Sequence, residues 1–272
     1  MSDPTFDPTD PTPYAQTAIY RTRPKAAYRA LQKLIRNKED TAQVFEIMRA
    51  LSGRSIPRGY QRFIDSPRGG AIAWRREEIA PILDDHDALR ALPKGSVGRA
   101  YLAFVEGQGF TAEGLAEESR KDPASTVEAD HPYAWYARRL RDVHDIWHVL
   151  TGYGRDALGE ACVVAFSYAQ TGSRGFGFIA LAGAHEIGRG LPGRGVRAAV
   201  WQAYRTGRAA AWLPAEDYPS LLAEPLETAR TRLNIPTPSG YLAVPEAERN
   251  GAMRPEASTV ETPSGDGLVA AE

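Results

Sequence analysis

Cysteine is nearly missing from this chain: 272 residues contain one, Cys162. No internal disulfide can form, and zinc fingers or iron–sulfur sites built on cysteine are excluded. Long apolar runs are missing too. No stretch reaches the roughly 18 apolar residues of a membrane-spanning helix. The start, Met1-Ser2-Asp3-Pro4, has no basic segment leading into an apolar one, so no secretory leader is expected. Strand signals are scarce, without sustained period-two alternation or an Asn-Gly or Asp-Gly turn between β-branched runs. There is no Walker loop. The glycine-rich stretch 172–177 follows no strand and reads as a turn, not a phosphate cradle. No basic-plus-aromatic motif appears, so no nucleic-acid partner is expected. No internal repeat occurs at a solenoid period.

Lysine is also sparse. Of 33 basic residues 28 are arginine, set against 34 acids, and hydrophobic residues make up 43% of the chain. That apolar content fills a sizeable core. The near-neutral total hides an uneven distribution. Residues 1–18 carry a net −3 and residues 245–272 a net −4, so residues 19–244 carry +6. Both ends are rich in proline and polar residues, and the composition predicts disordered acidic tails over 1–18 and 245–272. Between them, 19–244 is expected to be one helical domain. Its arginines read either as an ordinary solvated surface or as a basic face towards an anionic membrane or ligand.

The apolar spacing of this core is helical. Helices are predicted over 24–37, over about 41–51 with Asp40 or Thr41 as cap, and from Ser96 to the glycines at 107 and 109. Further helices are predicted over 132–151, 158–170, 178–187, 196–211 and 220–234. Residues 56–75, with Pro57, Pro67, Gly69 and Gly70, read as irregular. A short apolar piece runs from Asp87 to Leu92, and 120–130 reads as a loop. The fold class expected is all-α, a single helical bundle.

Two of the five histidines lie in one short segment, His144-Asp145-Ile146-Trp147-His148, and Glu160 follows. At about 100° per residue, His144 and His148 sit one turn apart on one helix face with Asp145 beside them. Imidazoles at i and i+4 are the device by which H-E-x-x-H enzymes hold zinc. The glycine turn 151–154 would reverse the chain, and an antiparallel neighbouring helix would bring Glu160 back to the histidine pair. Two imidazoles and two carboxylates suit a divalent metal: zinc best, with iron(II) and manganese as alternatives. A bare i,i+4 histidine pair with no ligand is the plainer alternative. Burying two histidines and two acids among apolar residues is costly unless they pair or coordinate an ion.

Other polar residues carry weaker signals. His185 reads as a helix-terminal or core histidine, His86 and His131 as loop or cap residues, and Cys162 as a small packing residue.

These residues sit in longer matching segments. The chain resembles the coenzyme Q (ubiquinone) biosynthesis protein 4 family, whose signature is H-D-x-x-H-x(11)-E. Leu92-Pro93-Lys94-Gly95-Ser96-Val97-Gly98-Arg99-Ala100-Tyr101-Leu102 is similar to its L-P-x-G-S-x-G-x-x-Y-L segment, and Asp142–Tyr153 to its E-V-H-D-x-x-H-x-L-x-G block. Leu158-Gly159-Glu160, Gln170-Thr171-Gly172 and Leu221-Leu222-Ala223-Glu224-Pro225-Leu226 also match. The acidic tails and the arginine-rich 189–208 segment depart from the pattern. The resemblance implies an all-helical, metal-binding protein of ubiquinone synthesis, with His144, Asp145, His148 and Glu160 as ligands. It implies a polyprenylated aromatic lipid substrate, other ubiquinone biosynthesis enzymes as partners, homodimerisation, and a cytoplasmic place peripheral to an anionic bacterial inner membrane. Two activities are implied as alternatives. One is a metal-dependent C1 oxidative decarboxylase acting on a polyprenyl-hydroxybenzoate. The other is a non-catalytic lipid-binding scaffold with a structural metal. A hydrolase of the H-E-x-x-H type ranks last, because Asp145 reads as a ligand rather than a general base. An apolar groove for the lipid tail is expected from Val163, Val164, Phe166, Phe176, Phe178, Ile179 and Leu181, unless these are ordinary core.

Overall fold

The computed structural model describes residues 20–36, 40–106 and 130–250. Among them no strand occurs, and one isolated antiparallel bridge joins Ser96 to Pro225. The fold is all-α, as the apolar spacing predicts. The first half contains α1 (Pro24–Arg36), α2 (Thr41–Leu51), α3 (Ser55–Ile64), α4 (Gly69–Arg75), α5 (Ala80–Asp84), α6 (His86–Ala91) and α7 (Val97–Glu106). The second contains α8 (Pro132–Asp142), α9 (His144–Thr151), α10 (Ala157–Thr171), α11 (Arg174–Gly190), α12 (Val196–Ala209), α13 (Tyr218–Ala223), α14 (Leu226–Arg232) and α15 (Ser239–Leu242). The predicted tail at 1–18, residues 251–272 of the tail predicted over 245–272 and all but Asp130 of the loop predicted over 120–130 lie outside the described residues.

Helix α10 is apolar nearly all round, which places it at the centre of the bundle. Its Leu158, Ala161, Cys162, Val163, Ala165 and Phe166 are buried, and it packs along both α11 and α12. The α10–α12 approach is close because Gly207 has no side chain: a Cβ there would meet the Phe166 carbonyl at 2.7 Å and the Ala169 Cβ at 2.9 Å. Gln170 ties the same crossing together. Its Nε2 donates to the Gly207 carbonyl at 2.7 Å and its Oε1 accepts from the Leu213 amide at 2.8 Å. On the other side, α7 packs against α6, α9 and α13. The Ser96 hydroxyl caps α7 by accepting from the Arg99 amide, and the Val97 amide donates to the Glu224 carbonyl. A second, smaller core of Phe63, Ile72, Trp135 and Tyr136 joins α3, α4 and α8.

Four expectations need correction. The single helix over 132–151 breaks at Val143, whose ψ of −1° sends the chain into a new helix starting at His144. The single helix over 220–234 breaks at Pro225, which has no amide to continue the hydrogen-bond ladder. The stretch 56–75 is two helices rather than irregular. Pro57 sits in the first turn of α3, where a missing amide costs nothing, and Pro67 lies in the turn before α4. Gly69 permits that turn, since a Cβ there would fall 1.9 Å from the Phe63 carbonyl. Finally, residues 245–250 belong to the folded part and not to the tail. The Arg249 carbonyl and the Asn250 side chain accept from the Leu158 and Ala157 amides, two of the donors that a helix start leaves unpaired.

Overpacking the α10–α12 crossing tests this architecture. Gly207→Ala should destabilise the protein by about 1–3 kcal/mol, lowering the melting temperature by several degrees. A melt unchanged within error would contradict the close approach.

Candidate metal centre

Val143 resets the helix, so His144 and Asp145 fall in the first turn of α9 and His148 one turn later. Glu160 falls in the first turn of α10. Both carboxylates therefore stand at helix N-termini, where the macrodipole favours negative charge. The reversal between the two helices is tight. Gly152 closes α9 in the left-handed conformation (φ 74°), and its amide donates to the His148 carbonyl at 2.8 Å. The Arg230 guanidinium, from α14, donates to the Leu150 and Val149 carbonyls and so caps the end of α9. Gly159 lets the turn lie directly on α10, because a Cβ there would sit 2.0 Å from the Gly154 carbonyl. The N-cap Asp156 accepts from the Gly159 amide and from the Tyr241 hydroxyl, and that hydroxyl accepts from the Gly154 amide.

The result is a convergence of four side chains. One ligating atom each from His144, Asp145 and His148 lies within 4.8 Å of the others. Glu160 adds a carboxylate against the two imidazoles, with Oε1 3.4 Å from His148 Nε2 and Oε2 3.8 Å from His144 Nε2. The structure thus groups His144, Asp145 and His148, and sets Glu160 against the two imidazoles. His148 is fully buried and its Nδ1 lies 3.1 Å from the Tyr153 carbonyl. A carbonyl only accepts, so Nδ1 carries the proton and Nε2 presents a lone pair. That Nε2 is buried with no hydrogen-bond partner. An unpartnered buried imidazole nitrogen beside a carboxylate, with a second imidazole and a second carboxylate close by, is a donor set a divalent cation takes, and the Tyr153 carbonyl fixes the tautomer. Glu160 is the most open of the four, its side chain 46% exposed.

Two neighbours, Arg155 and Phe104, complete the wall. Arg155 donates to Asp145 Oδ2 at 2.7 Å, and its guanidinium lies 4.7 Å from the centre of the Phe104 ring. Phe104 stacks on His148 at 5.3 Å. Arg155 was legible only as a lone cation in the turn between His148 and Glu160. Phe104 and the Tyr153 carbonyl gave no local signal. Of the other candidates, His185 is exposed within α11 rather than at its end, and His131 caps α8 by accepting the Tyr133 amide on Nδ1. Cys162 is buried, and burial pushes its thiol well up, consistent with a packing role. The expected groove divides. Val163, Val164 and Phe166 are core, Phe176, Phe178 and Ile179 are half-buried, and Leu181 is exposed.

An all-helical domain with a converging His-Asp-His-Glu cluster is the class of protein that this fold and site define. The profile of the family described as coenzyme Q (ubiquinone) biosynthesis protein Coq4 matches residues 24–239, and the chain belongs to that family, which serves ubiquinone biosynthesis. It is 35% identical over 111 residues to the mitochondrial ubiquinone biosynthesis protein COQ4 homolog of Danio rerio, covering 41% of this chain and 38% of that protein. It is 32% identical over 116 residues to the mitochondrial COQ4 of Pyricularia oryzae, covering 43% and 36%. The aligned region thus spans well under half the length of these relatives. A solved structure from Nostoc punctiforme PCC 73102 shares the fold, with a TM-score of 0.60 at 22% identity over 79% of this chain and all of that one.

Without an ion the cluster titrates as a set. Burial opposes the charge on His144, but the hydrogen bond and charge of Glu160 outweigh it and raise the imidazole above its ordinary 6.5. Burial likewise works against a charged Glu160, yet the neighbouring imidazoles of His144 and His148 hold its carboxyl well below the ordinary 4.5. A raised histidine stabilises the fold fully below its unfolded value and loses that stabilisation as pH rises through the folded one. A depressed glutamate stabilises fully above its unfolded value and loses it as pH falls through the folded one. In chelator-treated protein the pair's contribution should therefore be complete between about pH 4.5 and 6.5. Thermal melts should show it decline on the alkaline side, and Glu160→Gln should flatten that decline. An identical pH profile in the variant would count against the pairing.

Proposed function

We propose that this protein uses a divalent metal to replace the C1 carboxyl of a polyprenylated hydroxybenzoate by hydroxyl during ubiquinone synthesis. The observation that carries this reading is the convergence of His144, Asp145, His148 and Glu160, with the buried Nε2 of His148 otherwise unpartnered. His144 and His148 would hold the ion through imidazole nitrogens, and Asp145 and Glu160 through carboxylate oxygens. Zinc suits that set best, and iron(II) and manganese accept it. When bound, a divalent ion supplies Lewis acidity towards the carboxylate or phenolate of the ring. The Tyr153 carbonyl keeps His148 in the ligating tautomer. The half-exposed Glu160 marks the side from which a ring could approach and is the ligand freest to move aside. The overall change breaks the bond from C1 to the carboxyl, releases carbon dioxide and forms a C1–oxygen bond with an oxygen atom from water, while dioxygen takes up the two electrons and two protons as hydrogen peroxide.

One observation favours a second reading, a lipid-binding scaffold that gathers the other ubiquinone biosynthesis enzymes around a structural metal. Four protein ligands are enough to close a tetrahedral site. Two measurements separate the readings. His144→Ala and His148→Ala should each strip the metal, and full occupancy by elemental analysis in both would sink the metal centre. Purified protein given a polyprenylated hydroxybenzoate and oxygen should lose the substrate carboxyl, by mass spectrometry, only when loaded with metal. In an enzyme, Glu160→Gln keeps the fold and lowers turnover about a hundredfold or more. In a scaffold it lowers thermal stability in step with metal loss and leaves ubiquinone synthesis in a deletion strain intact.

The same reading puts the protein at the cytoplasmic face of an anionic bacterial inner membrane, as a monomer or homodimer beside its partner enzymes. Among the described residues no helix is long and apolar enough to cross a membrane. The +6 charge of residues 19–244 supports peripheral attachment, as does Trp74, 90% exposed on α4 beside Arg75 and Arg76. Sedimentation with anionic liposomes should fall as salt rises. Equal, salt-insensitive binding to neutral liposomes would rule out the electrostatic part.

A further inference from the structure

The end of α3 borders an open cavity of about 580 Å³, lined by Arg58, Gln61, Arg62, Asp65 and Ser66. None of these residues belongs to the metal cluster, and the volume is that of a small-molecule site. Arg58 and Arg62 stand one turn apart on one face of α3. The Arg62 guanidinium lies 4.1 Å from the centre of the Trp212 ring. That contact covers its flat side and leaves its edge for paired hydrogen bonds to an oxyanion. Among the described residues neither arginine pairs with a carboxylate. Asp65 is held by Gln61 Nε2, which lies 3.0 and 3.1 Å from its two oxygens. An amide is neutral, so the aspartate charge stays uncompensated. Asp65 is also the C-cap of α3, where the helix dipole favours a cation and an acid works against the fold. Ser66 is committed to the Phe63 carbonyl and the Gly69 amide. Of the arginines on either side, Arg68 is paired with Glu216 at 3.7 Å, and Arg54, one turn before Arg58, lies 5.6 Å from the centre of the Tyr20 ring.

We propose that this cavity binds a phosphate ester carrying a primary amine, with the phosphate on Arg58 and Arg62 and the ammonium on Asp65. Two cations and one anion border one space without pairing to each other. A phosphate alone would meet the repulsion of Asp65, and an amine alone that of the two arginines. A ligand that joins the two groups by a short link satisfies all three side chains. A quaternary amine has no N–H to donate to Asp65 and fits less well. All three charged side chains are exposed, so each contact is screened by water and modest in strength. Two sources carry this chemistry: a phosphoethanolamine lipid head group at a membrane surface, and a free amino-phosphate ester in solution.

The test titrates the full-length protein by calorimetry with glycerophosphoethanolamine and glycerophosphoglycerol, which share a phosphodiester and differ in the amine. The first should bind about three- to fivefold more tightly, the scale of one solvent-exposed ion pair. Asp65→Asn should close that gap. Arg58→Gln should weaken both probes alike, and Arg62→Gln is made alongside, so that if one variant misfolds the other decides. Phosphatidylcholine vesicles with and without phosphatidylethanolamine then identify the source. Extra binding to the second lipid that Asp65→Asn removes makes the ester a membrane head group, and binding of the soluble probe without it makes the ester a free molecule. No binding of glycerophosphoethanolamine overturns the proposal. So does a preference that survives Asp65→Asn, or full affinity in both arginine variants. None of these readouts depends on an ion at His144 and His148, so the proposal and the metal reading fail separately.

Discussion

The reversal of the chain between His148 and Glu160 leaves almost no slack. Gly152 turns left-handed to end α9, and the Gly154 carbonyl rests on α10 where Gly159 offers no Cβ. The same few residues supply the Tyr153 carbonyl that orients His148 and the Arg155 guanidinium that holds Asp145. Displacing this turn by an ångström would move the Glu160 carboxylate relative to the imidazoles and loosen both supporting contacts at once.

Much of the remaining structure acts to keep that turn in place. A helix start exposes amides that need partners. At α10 they are met by Asp156, Arg249 and Asn250, which draws the segment after α15 against the start of that helix. At the end of α9 the exposed carbonyls are met by Arg230. Tyr241 joins the two ends by bridging Gly154 and Asp156, with its ring packed on Tyr153 and under Arg249. Beneath them Trp147 donates to the Tyr218 hydroxyl, which donates to the Leu213 carbonyl, so the face of α9 turned away from the cluster is anchored through a buried polar chain.

Charge balance gives the cluster its character. Two carboxylates at helix N-termini, two imidazoles and one arginine are grouped where one imidazole nitrogen has no protein partner. Without an ion, the attraction between Glu160 and a protonated His144 holds the group together. With an ion, that proton must leave, so occupancy of the centre is tied to pH as well as to folding.

The spacing of His144, Asp145, His148 and Glu160, and the helical period around them, were determined by the sequence alone. An i,i+4 pair shares a helix face whatever the surroundings, and glycines after a helix end it in nearly any context. The helix count was less legible. Val143 shows no breaker signal, and its near-zero ψ arises in the packed core. The helices over 55–75 were hidden because proline and glycine stop most helices but are tolerated in a first turn and at a close contact. Phe104, Tyr153 and the 245–250 segment were decided only by tertiary structure. Their roles depend on which backbone group or ring face meets the cluster, and a local pattern cannot encode contacts between residues as far apart as Phe104 and His148 or Leu158 and Arg249.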